Sequence, residues 1–168
     1  PESGNYFFRN KKNKLKVNSF NLRQYSVHIP QEVFLFNDSL INNILRGSKL
    51  NKILLEKALY ASCLDEFIQD HPKGINTLLG ERGSLVSGGQ RQRIGLARAV
   101  YKLLIDNKLF LFLDESTSAL DTATENKVIL RLKKILKNKI VIAISHRENT
   151  FILFNKVINL NSLKEVKE

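Results

Sequence analysis

A single cysteine, Cys63, in 168 residues excludes an intrachain disulfide framework and fits a reducing compartment. Its neighbours Leu59, Ala61 and Leu64 mark it as a buried bystander rather than a reactive thiol. No apolar run approaches the roughly 20 residues needed to span a bilayer. IVIAI at 140–144, among the longest, has the length of a buried strand. Signal peptide, internal repeat and low-complexity segment are all missing, and the first residue is proline, so a fragment of a longer protein is expected. Also missing are a phosphate-binding GxxxxGK[ST] loop and a zinc-binding HExxH helix.

What is there suffices for one domain with a real core: 43% hydrophobic and 26% charged residues. The net charge of +11 is local. Residues 1–23 carry six Lys/Arg against one Glu, and residues 126–147 carry seven with no acid. Such runs attract nucleic acid, an acidic membrane or an acidic partner, or are simply the solvated faces of surface helices. The second run has no interleaved aromatics, which argues against a platform for stacking single-stranded bases.

Along the chain, Tyr6 to Arg9 predicts a short strand followed by a polar, hairpin-like connection. YSVHIP predicts a strand ending at Pro30. Asn37 or Asp38 is expected to cap a helix with Ile41, Ile44 and Leu45 on one face. Two further helices, about Asn51–Leu59 and Ser62–Gln69, complete a small helical block before a glycine-bearing loop, KGINTLLGERGSLVSGGQ. The pattern then changes. An apolar-faced helix over 88–104 precedes KLFLFLDE, read as a central parallel strand covered on both faces. A helix over Thr124–Lys137 and a second buried strand, KIVIAISH, make a right-handed βαβ unit the expected connection. ENTFILF predicts a short helix, and KVINLNSLKEV a terminal strand and turn.

Ligands of parallel α/β sheets bind beyond the carboxyl ends of the strands. Asp114 and Glu115 end one such strand, and Ser145 and His146 end the next, 32 positions after Asp114. Two acids can merely terminate a strand. With an imidazole on the same rim they suit nucleoside triphosphate hydrolysis: Asp114 for Mg²⁺, Glu115 for the attacking water, His146 for the γ-phosphate. Upstream, Ser87 is a good helix N-cap, and Gly88 and Gly89 let backbone N–H groups approach an anion at the positive end of the following helix. Ordinary capping explains Ser87 equally well. The paired glycines with Gln90 and three arginines, at 91, 93 and 98, add weight to an anion site.

These residues stand in an order that resembles the ATP-binding cassette (ABC) ATPase domain of exporter type. IPQ at 29–31 resembles the Q-loop and LVSGGQ at 85–90 the signature. LFLFLDE at 109–115 resembles Walker B, SALD at 118–121 the D-loop, and ISH at 144–146 the switch histidine. GERG at 80–83 resembles the X-loop of exporter cassettes. Val86, where leucine is usual, and Ser162, where many relatives have glycine, are mild departures.

The resemblance implies an α/β fold, a P-loop NTPase (RecA-like) three-layer core with an inserted helical subdomain, incomplete at the N-terminus. Residues 1–36 would be a remnant of the core with the Q-loop, 37–86 the helical subdomain with the X-loop, and 87–168 the signature helix and C-terminal core. It implies ATP and Mg²⁺ as cofactors, with Glu115 as general base, His146 at the γ-phosphate, Gln31 at Mg²⁺ or the water, and Asp114 at the metal. Ser87, Gly88 and Gly89 would close on ATP bound mainly to an opposing domain, Gln90 would support them, and Asp121 would lie at the seam of a head-to-tail dimer. The Gln31 and Glu81–Arg82 regions would meet coupling helices of a transmembrane domain, on the cytoplasmic face of the cell (inner) membrane.

The function implied is part of an ATPase that powers export or flipping across a membrane, with no specific nucleic-acid partner. Without a GxxxxGK[ST] loop or an early aromatic for adenine, the expectation is that the chain begins after the Walker A helix and is inactive alone. Two other classes stay open. The net charge admits a soluble ABC ATPase acting on nucleic acid or the ribosome, although only 56 positions separate Gln31 from Ser87, too few for the long coiled coils of DNA-repair relatives. A non-catalytic dimerisation fragment donating only its signature is the other.

Overall fold

Elements are assigned on a computed structural model that describes residues 6–9, 14–17, 19–147 and 154–158, with side chains from Leu22 onward. The first two strands, β1 (Tyr6–Arg9) and β2 (Lys14–Val17), form the antiparallel hairpin that the polar connection suggests, with Tyr6 opposite Val17. The helix and strand expected in ENTFILF and KVINLNSLKEV fall mainly on 148–153 and 159–168, outside the described residues.

A short helix, α1 (Ser19–Tyr25), precedes β3 (Ser26–Ile29) and has no counterpart in the sequence pattern. Seven residues are too few to hold a helix on their own propensity. Tertiary contacts secure its end: Lys108 Nζ donates to the carbonyls of Arg23 and Ser26, and the Leu109 N–H to that of Tyr25.

The middle block folds into α2 (Leu40–Leu45), α3 (Lys52–Ala61) and α4 (Asp65–Asp70). The cap of α2 is one residue later than expected: Ser39 Oγ accepts from the Asn42 N–H. Asp38 instead accepts from the Asn42 side chain and the Ser39 N–H, bonds that hold its carboxyl below the usual aspartate range. Asn51 caps α3 as its residue type suggests. The third helix starts at Asp65 rather than Ser62. Ser62 Oγ bonds back to the carbonyls of Ala58 and Leu59, and Cys63 takes a left-handed backbone (φ 54°), so the chain must turn before α4 begins.

The 18-residue helix α5 (Gly88–Ile105) carries the whole arrangement. Its Ile94, Val100, Tyr101 and Leu103 are fully buried, against α2 and α3 on one side and β3 and β4 on the other. Three arginines fasten the helical block to it through backbone carbonyls: Arg91 to Gly83, Arg93 to Cys63, and Arg98 to Phe34 and Asn43. Burial, and then the nearby Arg46 charge, lower Arg98 to about 10. On the far side, Arg131 of α6 (Thr122–Ile135) bonds Asp65 and the Tyr60 carbonyl while lying over the Tyr60 ring. Burial pushes the Asp65 carboxyl up, but Arg131 outweighs it, and the net shift is downward.

Strands β3, β4 (Phe110–Asp114) and β5 (Ile140–Ile144) form a parallel sheet in the order β3-β4-β5, with α6 connecting β4 to β5. One face, Val27, Ile29, Leu111, Leu113, Val141 and Ala143, joins the core with α5 and α6. The other face corrects the expectation that KIVIAISH is a buried strand. Ile140, Ile142 and Ile144 are 46%, 43% and 57% exposed, because among the described residues β5 is an edge strand and no helix covers that face.

Candidate active site

Registry brings three strand ends to one edge. Ile29 stands opposite Leu113, Leu113 opposite Ala143, and Asp114 opposite Ile144. The residues that follow each strand therefore meet beyond the same carboxyl rim. Gln31 comes from the segment after β3, Glu115 from the turn after β4 and His146 from the turn after β5. Glu115 leaves β4 in a left-handed conformation (φ 45°) and donates its N–H to the Ile144 carbonyl.

The Glu115 carboxylate is held at both oxygens. Gln31 Nε2 donates to Oε2 at 2.9 Å, and His146 Nε2 lies 3.0 Å from Oε1. Gln31 and Glu115 are 84 positions apart in sequence, so only the sheet brings them together. The His146 side chain is 85% exposed, open to a ligand on its far side. Asp114 ends β4, about half exposed, with His28 Nε2 at 3.8 Å.

Ser87 to Gln90 form a different part of the edge. A complete capping box closes the N-terminus of α5: Ser87 Oγ accepts from the Gln90 N–H, and Gln90 Oε1 accepts from the Ser87 N–H. As acceptor, Ser87 Oγ keeps its own O–H for donation to an anion. Gly89 has a reason of its own to lack a side chain. A Cβ there would lie 3.2 Å from the Ala119 carbonyl oxygen, so the first turn of α5 rests against the turn that follows Glu115. Asp121 serves locally as the N-cap of α6, accepting from the Thr124 N–H, which lowers its carboxyl pKa. Glu81 and Arg82 are exposed on a short 3₁₀ turn and lie outside this edge.

Several residues here are not foreshadowed by the motifs. Gln92 Nε2 donates to Ser118 Oγ and its Oε1 accepts from the Ala119 N–H. Arg147, next to His146, bonds the carbonyls of Ser118 and Leu120 and the buried Glu125. Gly95 lets α5 approach the segment after Gln31, since a Cβ there would lie 2.5 Å from Val33 Cγ2. Adjacency to a motif was the available signal for Gln92 and Arg147; Gly95 gave none.

Among the described residues, no three His, Cys, Asp or Glu side chains gather as a metal-binding set. One accessible carboxylate with an amide nearby does suit Mg²⁺, which keeps waters and takes few protein ligands. Asp114 is an accessible carboxylate, and the Gln31 amide donates to the neighbouring Glu115. A second feature lies behind the edge: a cleft of about 450 Å³ between β3 and helices α2 and α5, with Val33, Phe34 and Leu45 beside Arg46, Arg98 and Lys102.

No family model matches the chain. Curated relatives do. It is 42% identical over 154 residues to the ATP-dependent lipid A-core flippase of Wigglesworthia glossinidia brevipalpis, a match covering 86% of this chain and 26% of that protein. It is 42% identical over 134 residues to the mitochondrial iron-sulfur clusters transporter ATM1 of Yarrowia lipolytica, covering 79% and 18%. Among solved structures, a bacterial Atm1-family ABC exporter with ATP bound superposes with a TM-score of 0.71 at 31% identity, over 84% of this chain and 24% of that one. The chain thus spans about a quarter or less of these relatives.

Proposed function

Because the chain belongs to the exporter- and flippase-type ATP-binding cassette proteins and matches part of their nucleotide-binding domain, we propose that it is the hydrolytic part of an ATPase powering movement of a substrate across a membrane. One observation carries this reading. The Glu115 carboxylate is gripped by Gln31 and His146 at the edge where the parallel strands end.

Asp114 with Gln31 would hold Mg²⁺, which would supply charge neutralisation to the phosphates. Glu115 would orient the attacking water and accept its proton, and Gln31 fixes the carboxylate that does so. His146, exposed beyond its contact with Glu115, would donate to the γ-phosphate. Ser87, Gly88 and Gly89 would close on ATP held chiefly by a second, head-to-tail cassette, with Gln90 locking the segment and Asp121 at the seam. The chain contains no GxxxxGK[ST] loop to cradle phosphates, so it is expected to bind ATP weakly by itself.

A transmembrane domain would supply the path for the substrate, since no helix among the described residues is long and apolar enough to cross a membrane. The cleft beside Phe34 suits a short helix of that domain. Its apolar wall would take the helix's apolar face, and Arg46 and Arg98 an acidic side chain. Glu81 and Arg82 would form a second contact, and the assembly would sit on the cytoplasmic face of the cell (inner) membrane.

Glu115→Gln tests the reading. In the full gene product, this change should lower ATPase turnover by about 10²- to 10⁴-fold, the usual worth of a general base, while ATP binding persists. Unchanged turnover would refute it.

A further inference from the structure

His146 is more than four-fifths exposed, and it meets Glu115. Packing therefore does not fix where its ring stands, and the anchor must come through the backbone. The next residue supplies one. Arg147 Nη1 donates to the Leu120 carbonyl at 2.8 Å and to Glu125 Oε2 at 2.9 Å, and Nη2 donates to the Ser118 carbonyl at 2.7 Å. Glu125 is 1% exposed, and a buried carboxylate is tolerated only when paired and hydrogen-bonded. Its other oxygen accepts from Thr117 Oγ1 at 2.5 Å, so both are engaged.

Both carbonyls that Arg147 binds belong to the turn that follows Glu115, itself closed by the Ser118 N–H donating to the Glu115 carbonyl. One guanidinium therefore sets the backbone of His146 and of Glu115 relative to each other. The same turn is gripped from the opposite side by Gln92 of α5, at Ser118 Oγ and the Ala119 N–H. It stands between the start of α5 and the histidine.

Building on the functional reading above, we propose that Arg147, held by buried Glu125, is the positioning residue that sets His146 against Glu115, and that the 117–120 turn with Gln92 ties this contact to the first turns of α5. A shift of α5 against the sheet then reaches the hydrolytic pair through side-chain bonds rather than through bound nucleotide alone.

The test uses the full gene product with ¹³C-labelled histidine rings, the His146 signal being assigned by its loss in His146→Ala. Glu125→Gln and Gln92→Ala lie far from His146 in sequence, so a change in its ring resonance must come through the fold. Both should move that resonance. Glu125→Gln should also lower kcat by about 10-fold, with KM for ATP within about 2-fold, because misplacing a catalytic group costs turnover more than binding. Arg147→Lys keeps the charge but lacks the planar fork and should behave the same way; it carries the test if Glu125→Gln does not fold.

An unmoved His146 resonance in folded Glu125→Gln or Arg147→Lys protein overturns the positioning role. An unmoved resonance in Gln92→Ala overturns the link to α5. If the unmutated protein hydrolyses no ATP, the functional reading falls, and the resonance still decides the clamp.

Discussion

The helical block over α2–α4 and the edge beyond β3, β4 and β5 satisfy their polar groups in opposite ways. In the block, polar side chains are used up locally. Ser62 bonds two carbonyls of its own helix, Asn43 is buried against the carbonyls of Phe36 and Ser39, and the Tyr101 hydroxyl bridges the Lys49 carbonyl and the Asn51 N–H. At the edge, Glu115 and His146 meet over a solvent-facing rim, and the hydroxyl of Ser116, 3% exposed, has no hydrogen-bond partner. Polar atoms bonded within the block contribute to its stability. The edge retains unspent capacity, which is what a site for a charged substrate needs.

That contrast can be broken in three ways beyond the Glu115 and clamp experiments. Leu64→Ala removes a fully buried side chain from the helical block and should lower unfolding free energy by about 2–5 kcal/mol. The His146 ring resonance should stay in place. Denaturant unfolding with the labelled protein reads both, and a moved resonance would erase the distinction between the regions.

Gly95→Ala is the intermediate case, because it strikes where the two regions touch. The added methyl meets Val33, two residues after Gln31, and overpacking of this kind costs about 1–3 kcal/mol. Here stability and ATPase turnover should fall together, since the push is passed to the Gln31–Glu115 bond. A loss of stability with unchanged turnover would show that the segment after β3 absorbs the methyl.

The smallest effect is expected of Ser116→Ala. Removing a buried hydroxyl that makes no bond relieves a desolvation penalty, so unfolding free energy should rise by about 1 kcal/mol. A loss of comparable size would mean that the hydroxyl has a partner in solution, such as an ordered water.

Much of this was readable before folding. Periodicity placed α3, α5 and α6 to within a few residues, Ser87 announced its cap, and FLFLD declared a strand. Less readable were α1, whose Arg23 and Tyr25 carbonyls are met by Lys108 and the Leu109 N–H more than 80 positions away, and the exposure of β5, whose apolar run looks the same at an edge as in a centre. At the site, the ordered motifs named Gln31, Asp114, Glu115 and His146. They gave no hint that Gln31 and His146 grip the same carboxylate, or that Arg147 and Gln92 hold one turn from two sides.

Caps, turns and amphipathic faces depend on residues within about a turn of one another, and such short-range signals survive in a linear string. The order of the motifs survives there too, and it was enough to indicate the family. The Glu115 contacts depend instead on the registry of β3, β4 and β5, where a shift of one residue would turn every side chain to the other face. Spacing along the chain does not encode registry. The packing of α5 and α6 on one face of the sheet does, and so it was folding that turned a set of named residues into a gripped carboxylate.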